Sequence, residues 1–198
     1  VRPLTFICLL FALAVQGQVG GNAAYQFLNL GSAPRQVALG GKVITNFDYD
    51  PTQAFFNPAT INPAMDNQLA LTINNYIGDV SYGTASYAYL YDRRTQVFHT
   101  GVTYINYGSF EGYDAQGNPT NSFSGGELAV SFGHAKNIPF SNFYVGANVK
   151  FISSTLEQYN STGVAIDAGL IYRDQDTGLH LGLVARNFGA QLDPYDIT

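Results

Sequence analysis

Charge is what this chain has least of. Lys, Arg, Asp and Glu make up 12% of its 198 residues, against roughly 25% in an average soluble domain, so a surface solvated on all sides is not expected. The net charge is −5, the isoelectric point is near 4.9 and there is no basic run. That argues against nucleic acid, whose binding requires cationic patches that neutralise phosphates. The one cysteine is Cys8. It has no small neighbours that would mark it for lipidation, and no disulfide framework or cysteine metal site can be built from it. Nothing after Val15 approaches the roughly 18 consecutive apolar residues of a helical membrane span. Also absent are Ser-x-x-Lys, Gly-x-Ser-x-Gly, a P-loop and Gly-x-Gly-x-x-Gly, which removes the positive reasons for proposing an enzyme or a cofactor. His99, His134 and His180 stand at spacings unrelated to any metal-ligand pattern.

The chain is rich in apolar residues (46%), with 14 Tyr, 14 Phe and 21 Gly. From about residue 68 onward these fall on alternate positions. The clearest run is 143–188, which predicts strands over 143–152, 164–172 and 179–188. Phe143, Val145, Ala147, Val149 and Phe151 share one face of the first; Tyr144, Gly146, Asn148, Lys150 and Ile152 share the other. Successive strand side chains point to opposite faces, so the pattern predicts a sheet with one greasy face and one face carrying Lys150, Asp167, His180 and Arg186 among small residues. Strands of about 9–11 residues cross a bilayer at a tilt. Polar residues and glycine on the enclosed face then point to a membrane-spanning barrel. The competing fold is a soluble sandwich, whose strands are about 5–6 residues long and turn their large side chains inward.

Four earlier strands are predicted at 68–76, 80–91, 96–107 and 126–133, with long polar loops at 108–125 and 153–163 and shorter connections at 92–95, 134–141 and 173–178. Longer loops face outward in outer-membrane barrels. Residues 113–118 and 156–162 are therefore the candidate partner-binding loops, with Tyr113, Asp114, Gln116, Asn118, Leu156, Glu157, Tyr159 and Asn160 as contact residues. Seven strands is an odd count for a bacterial barrel, and the expectation is that this is the first part of a longer one. Asn160-Ser161-Thr162 fits a glycosylation sequon and is read as chance.

Residues 1–18 read as a secretory signal: Arg2, an apolar stretch over 4–15, then Val15-Gln16-Gly17 as the cleavage site. Residues 19–67 lack alternation and are dense in Pro and Gly, which permits only short helices and turns. One short helix is expected over 34–39. With Leu28, Phe47, Phe55, Phe56 and Ile61 scattered through it, the segment reads as a hatch packed in the lumen; a periplasmic extension is the alternative. Arg35, Asp48, Asp50, Asn57 and Pro58 are its candidate site residues, the first three as partners for the charged wall. Lys150, Asp167 and Arg186 fall on consecutive strands and are expected to pair across the sheet. They lack a nucleophile with an adjacent base. Tyr87, Tyr89 and Tyr91 on one face of the second strand read as part of an interfacial aromatic girdle.

Several strings carry a resemblance: Gly20-Gly21-Asn22-Ala23-Ala24-Tyr25-Gln26-Phe27-Leu28-Asn29-Leu30, Ala38-Leu39-Gly40-Gly41, Asn57-Pro58-Ala59, Gly78-Asp79 with Tyr82-Gly83, and Tyr104-Ile105-Asn106-Tyr107-Gly108. Over residues 19–191 the chain resembles the PorQ family of the type IX secretion system, which is related to PorV and similar in fold to the FadL fatty-acid transporters. The resemblance implies an all-β, FadL-like transmembrane antiparallel β-barrel over 68–198 with an N-terminal hatch over 19–67, in the outer membrane of a Bacteroidetes-type bacterium. It further implies a non-enzymatic component of the cell-surface attachment complex, working beside PorV, the sortase PorU and the surface protein PorZ, in contact with outer-membrane lipid and lipopolysaccharide. A FadL-like channel for hydrophobic small molecules is the first alternative. A secreted β-sandwich adhesin is the second.

Overall fold

A computed structural model describes residues 24–92 and 95–195. The signal-like residues 1–18, most of the Gly20–Tyr25 string and the turn residues Arg93 and Arg94 lie outside the described residues. Seven strands run in sequence order through one antiparallel sheet: β1 (Leu69–Asn75), β2 (Ser81–Asp92), β3 (Gln96–Tyr113), β4 (Pro119–Asn137), β5 (Phe143–Leu156), β6 (Tyr159–Arg173) and β7 (His180–Asp193). Each strand pairs with the next, and the sheet is open: β1 and β7 are its edges.

The alternation read from the sequence places the faces correctly, and the polar one is inside. Asn148, Lys150 and Asp167 are no more than 3% exposed, while Ile73 is 85%, Leu183 70% and Phe151 53% exposed. Leu69, Leu71, Phe98, Phe132, Val149, Ile166 and Leu181 continue that exposed apolar face. Tyr89 and Tyr91 also point outward, as expected, with Tyr87 half-buried beside them.

The inner face is covered by residues 24–67. They form 3₁₀ turns at Gln26–Asn29, Pro51–Phe55, Pro58–Thr60 and Pro63–Met65, and one short helix, α1 (Pro34–Ala38). Three of the turns share one local design. Asp50, Asn57 and Asn62 each precede a proline, and each side chain accepts a hydrogen bond from the backbone N–H two residues on, at 2.9–3.0 Å. Proline suits the first helical position because its missing N–H would be unpaired there anyway, and the Asx oxygen supplies the cap. All residues from 51 to 62 are buried. The segment thus lies across the sheet rather than trailing from it.

Room for this packing comes from glycine on the strands. Gly146 and Gly169 are direct partners on β5 and β6. A Cβ at Gly146 would lie 2.4 Å from the Pro58 carbonyl carbon, and one at Gly169 would lie 1.9 Å from Asn57 Oδ1. The Asn57 side chain and the Pro58 backbone sit where two strand side chains would otherwise stand.

Two expected loops are not loops. Residues 108–113 and 119–125 extend β3 and β4 into a hairpin whose turn is only 114–118, and residues 153–156 and 159–163 do the same for β5 and β6 around Glu157 and Gln158. Likewise 134–137, expected in a connection, belong to β4. The loop-length asymmetry on which the outward end was argued is therefore replaced by an asymmetry of strand length. β2 begins opposite Asn106, and β3 runs seven residues further, to Tyr113, about 20 Å at strand rise.

Candidate functional site

Two levels of the inner face carry chemistry. The lower is the charge cluster. Lys150 Nζ lies 2.7 Å from Asp167 Oδ2 and donates to Asn187 Oδ1 at 2.8 Å. The other Asp167 oxygen accepts the Asn187 backbone N–H at 2.8 Å. That bond is made possible by a register shift between Ile166 and Ala168 and by the left-handed Asn187, φ 55°. Asn148 reaches both ways, to Asp167 at 3.4 Å and to the Ala54 carbonyl at 2.8 Å. A buried ion pair is held only when its remaining donors and acceptors are met; here both Asp167 oxygens and two of the three ammonium donors are met, while Asn148 Oδ1 has no partner.

The structure removes one of the expected members, His180, and keeps Arg186 at the cluster's edge, its charge close enough to act on Asp167 and Lys150. His180 stands at the start of β7, where its Nε2 is 3.3 Å from Arg173 Nε. It is six residues from Arg186, about 20 Å along the strand. Arg186 does face inward, but it donates to the Leu28 carbonyl at 3.0 Å and lies over the Phe56 ring at 4.5 Å. Its partners are thus the N-terminal segment's backbone and an aromatic face.

The charges of that segment do not meet the wall. Arg35 pairs with Asp48, and Asp48 also holds Gln53 and the Asp50 backbone N–H. Asp50 caps its own turn. The wall is bonded instead through neutral groups: Thr84 Oγ1 donates to the Ser32 carbonyl at 2.7 Å, and Tyr25 and Ser161 hydroxyls meet at 2.7 Å. Sequence reasoning missed these, and also the buried contact of Ser86 Oγ with His99 Nε2 at 2.8 Å, closed over by the Phe55 ring 5.5 Å from the imidazole. Alternation is the one signal that could have found Ser86, which stands on the face opposite Tyr87, Tyr89 and Tyr91. At the opposite rim, Arg173 stands 4.6 Å above the Phe47 ring, which packs edge-on against Tyr144.

The upper level is the inner side of the two long hairpins. Phe123 shares the buried face of β4 with Glu127 and Ala129, and its register partner on β3 is Phe110; Leu156 shares the buried face of β5 with Ile152 and pairs with Tyr159. Together with Tyr107 these line an apolar groove of about 400 Å³. The Phe110 and Phe123 rings stack at 5.4 Å and 24°, and both are still at least 40% exposed. Beneath them the Tyr107 hydroxyl donates to the buried Glu127 carboxylate.

Of the residues expected to contact a partner, Leu156 and Tyr159 line this groove, and Glu157 is at its rim. Tyr113, Asp114, Gln116 and Asn118 stand beyond it at the hairpin tip. There the Asp114 carboxylate accepts from the backbone N–H of Gln116 and Asn118 and from the Asn118 side chain, at 2.8–2.9 Å. Those donors hold its carboxyl below the usual carboxylate range. Tyr113 donates to Glu111, and Asn160 is bonded to Thr155.

A second cavity, about 320 Å³, lies between residues 24–29 and the β6–β7 wall, lined by Tyr25, Leu28, Ile152, Ala165 and Gln191. Among the described residues no group of three or more His, Cys, Asp or Glu could hold a metal ion, and no helix is long and apolar enough to cross a membrane, which says nothing of strands. No family model matches the sequence, and neither a curated protein nor a solved structure matches it.

Proposed function

We propose that the chain is part of the wall of a FadL-like outer-membrane β-barrel, with residues 19–67 as its hatch, and that it serves as a non-enzymatic anchor in a type IX cell-surface attachment complex. The observation that carries the barrel reading is the reversal of the faces: large apolar side chains are exposed, while an ion pair, asparagines and serines are buried. In water that arrangement would leave an apolar surface uncovered; in lipid it is the expected one. An open sheet edge in hydrocarbon leaves backbone groups unpaired, so this reading requires β1 and β7 to meet further strands. The secretion role rests on the resemblance to PorQ, with PorZ, PorU and PorV as the implied partners and outer-membrane lipopolysaccharide as the surroundings.

A channel for hydrophobic small molecules is the second reading, favoured by the apolar groove of Phe110, Phe123, Leu156 and Tyr159 on the inner side. One experiment separates the two. The full-length protein is tagged, extracted from its own membranes in mild detergent and pulled down, and retained proteins and lipids are identified by mass spectrometry. The anchoring reading expects a sortase and a PorZ-like surface protein without a stoichiometric small ligand. The barrel alone, carrying a fatty acid, would overturn it in favour of the channel.

A further inference from the structure

Charge is divided along the strand axis. At the end where the hairpins project, the exposed ionisable groups are Asp79 in the β1–β2 turn, Glu111 and Asp114 on the β3–β4 hairpin, Glu157 at the tip of β5–β6 and Asp193 at the end of β7, with the buried Glu127 beneath them. No Lys or Arg among the described residues shares that end, and none of these acids is in an ion pair. The opposite end is mixed, with Lys136 and Arg173 beside Asp92, Asp174 and Asp176; Arg35 and Lys42 are on the N-terminal segment, and Lys150 and Arg186 face inward mid-strand. A one-signed rim around an apolar groove raises the local concentration of the opposite charge and repels its own.

We infer that the groove of Phe110, Phe123, Leu156 and Tyr159 is the docking site for a partner protein that inserts an apolar side chain flanked by lysine or arginine. This rests on the anchoring reading and names the chemistry of the anchored surface. The acidic rim selects against the two other occupants that an apolar outer-membrane groove invites. A fatty acid would place its carboxylate beside Glu157, with the buried Glu127 beneath and no Lys or Arg in the groove's lining to meet it, and the phosphates of lipopolysaccharide would face the same field. A cationic segment gains from the rim on approach, and its aliphatic or aromatic tip fills the space between the stacked Phe110–Phe123 pair and Leu156. Exposed tyrosine and phenylalanine faces also attract ammonium and guanidinium groups.

The test uses the full-length protein in phosphatidylcholine nanodiscs, with empty discs as blank. Binding of fluorescein-labelled Lys-Phe-Lys-Phe-Lys-Gly is compared with Glu-Phe-Glu-Phe-Glu-Gly and Lys-Ser-Lys-Ser-Lys-Gly, and binding of labelled lipopolysaccharide is measured separately, because its phosphates would sequester the lysine peptides in a mixture. The expected result is tightest binding of the first peptide, weakened by raising salt from 0.05 to about 0.5 M, where screening shortens the range of the rim's field. Phe123→Ala should weaken it about tenfold or more, the scale of a centrally placed aromatic anchor. Glu111→Gln with Glu157→Gln should remove most of its salt dependence, while Asp176→Asn at the other end changes neither. Equal binding of all three peptides, binding of lipopolysaccharide that is lost in Phe123→Ala, or indifference to these substitutions would overturn the proposal.

In cells, the same variants should stay in the outer membrane and lose the partner that the wild type retains. Partner retention unchanged in Phe123→Ala and in the double Gln variant would overturn this site while leaving the anchoring reading standing. A wild type that retains no partner would instead count against the anchoring reading, and the peptide comparison would still decide the chemistry of the groove.

Discussion

At the scale of single residues, the most consequential contact is Lys150–Asp167, because both groups are buried and each depends on the other. Asp167→Ala should cost about 3–5 kcal/mol in urea unfolding of the lipid-reconstituted protein, since it leaves a buried ammonium unpaired. Replacing both, Lys150→Met with Asp167→Leu, should recover much of that loss; a single and a double variant equally destabilised would show that packing and not charge is at stake. Gly169 tests a different kind of contact. Gly169→Val puts side-chain atoms where Asn57 Oδ1 now lies, so protease cleavage within residues 40–60 should accelerate while the sheet's circular dichroism is kept. Asp114 gives a pH prediction. Its folded carboxyl titrates below the unfolded value, so its support of the hairpin tip is complete above about pH 4 and fades as pH falls through the lowered folded value. Exchange of the Asn118 amide should therefore quicken, relative to its intrinsic rate, in strongly acid solution and not between pH 5 and 8. The same quickening in Asp114→Ala at neutral pH would confirm the cause.

At the scale of elements, the strands were legible in the sequence wherever their apolar faces alternate in simple parity, as in residues 143–152 and 164–172. The hairpin extensions were not. The register shifts between Asn106 and Ser109, beside the left-handed Gly108 at φ +76°, change the parity of β3, so Phe110 faces the same way as Tyr107 although three residues separate them. Beyond the shift the outward positions are Ser109, Glu111, Ser122 and Ser124, whose composition reads as loop even when the backbone remains paired. The lower site was half legible: alternation put Lys150, Asp167 and Arg186 on one face. What decides which of them pair is the bulge that places Asn187 against Asp167, and a bulge leaves no period in a sequence. The Asx-Pro turns of the N-terminal segment were visible as turns, whereas their docking through backbone carbonyls such as Ala54 and Leu28 involves no particular side chain on that side. A tip replacement follows from the element boundaries. Exchanging residues 113–119 for a short Asn-Gly turn should leave the sheet, its membrane insertion and the groove intact, and reduce partner retention much less than Phe123→Ala does, by the loss of the Asp114 charge alone. A loss as large as that of Phe123→Ala would place the contact at the tip and not in the groove.

At the scale of the whole molecule, the chain is a sheet with its faces reversed relative to a soluble protein and, among the described residues, with only acids at the end where the hairpins project. The buried face is polar because it is covered by a turn-rich segment rich in capping side chains and exposed carbonyls. The exposed face is apolar across all seven strands, from Leu71 on β1 to Leu183 on β7. That reversal is what the membrane reading depends on, and it can be measured directly. In a full-length background from which Cys8 and any further cysteine have been removed, single cysteines can be placed at Leu71, Phe132, Phe151 and Leu183 on the exposed face and at Gln116 on the hairpin tip. The full-length protein in its native membranes is then treated with a membrane-impermeant maleimide. The account predicts labelling at Gln116→Cys and protection at the other four until the membrane is dissolved in denaturing detergent. Ready labelling of the four in intact membranes, at the rate seen for Gln116→Cys, would contradict it, because that face would then be in water.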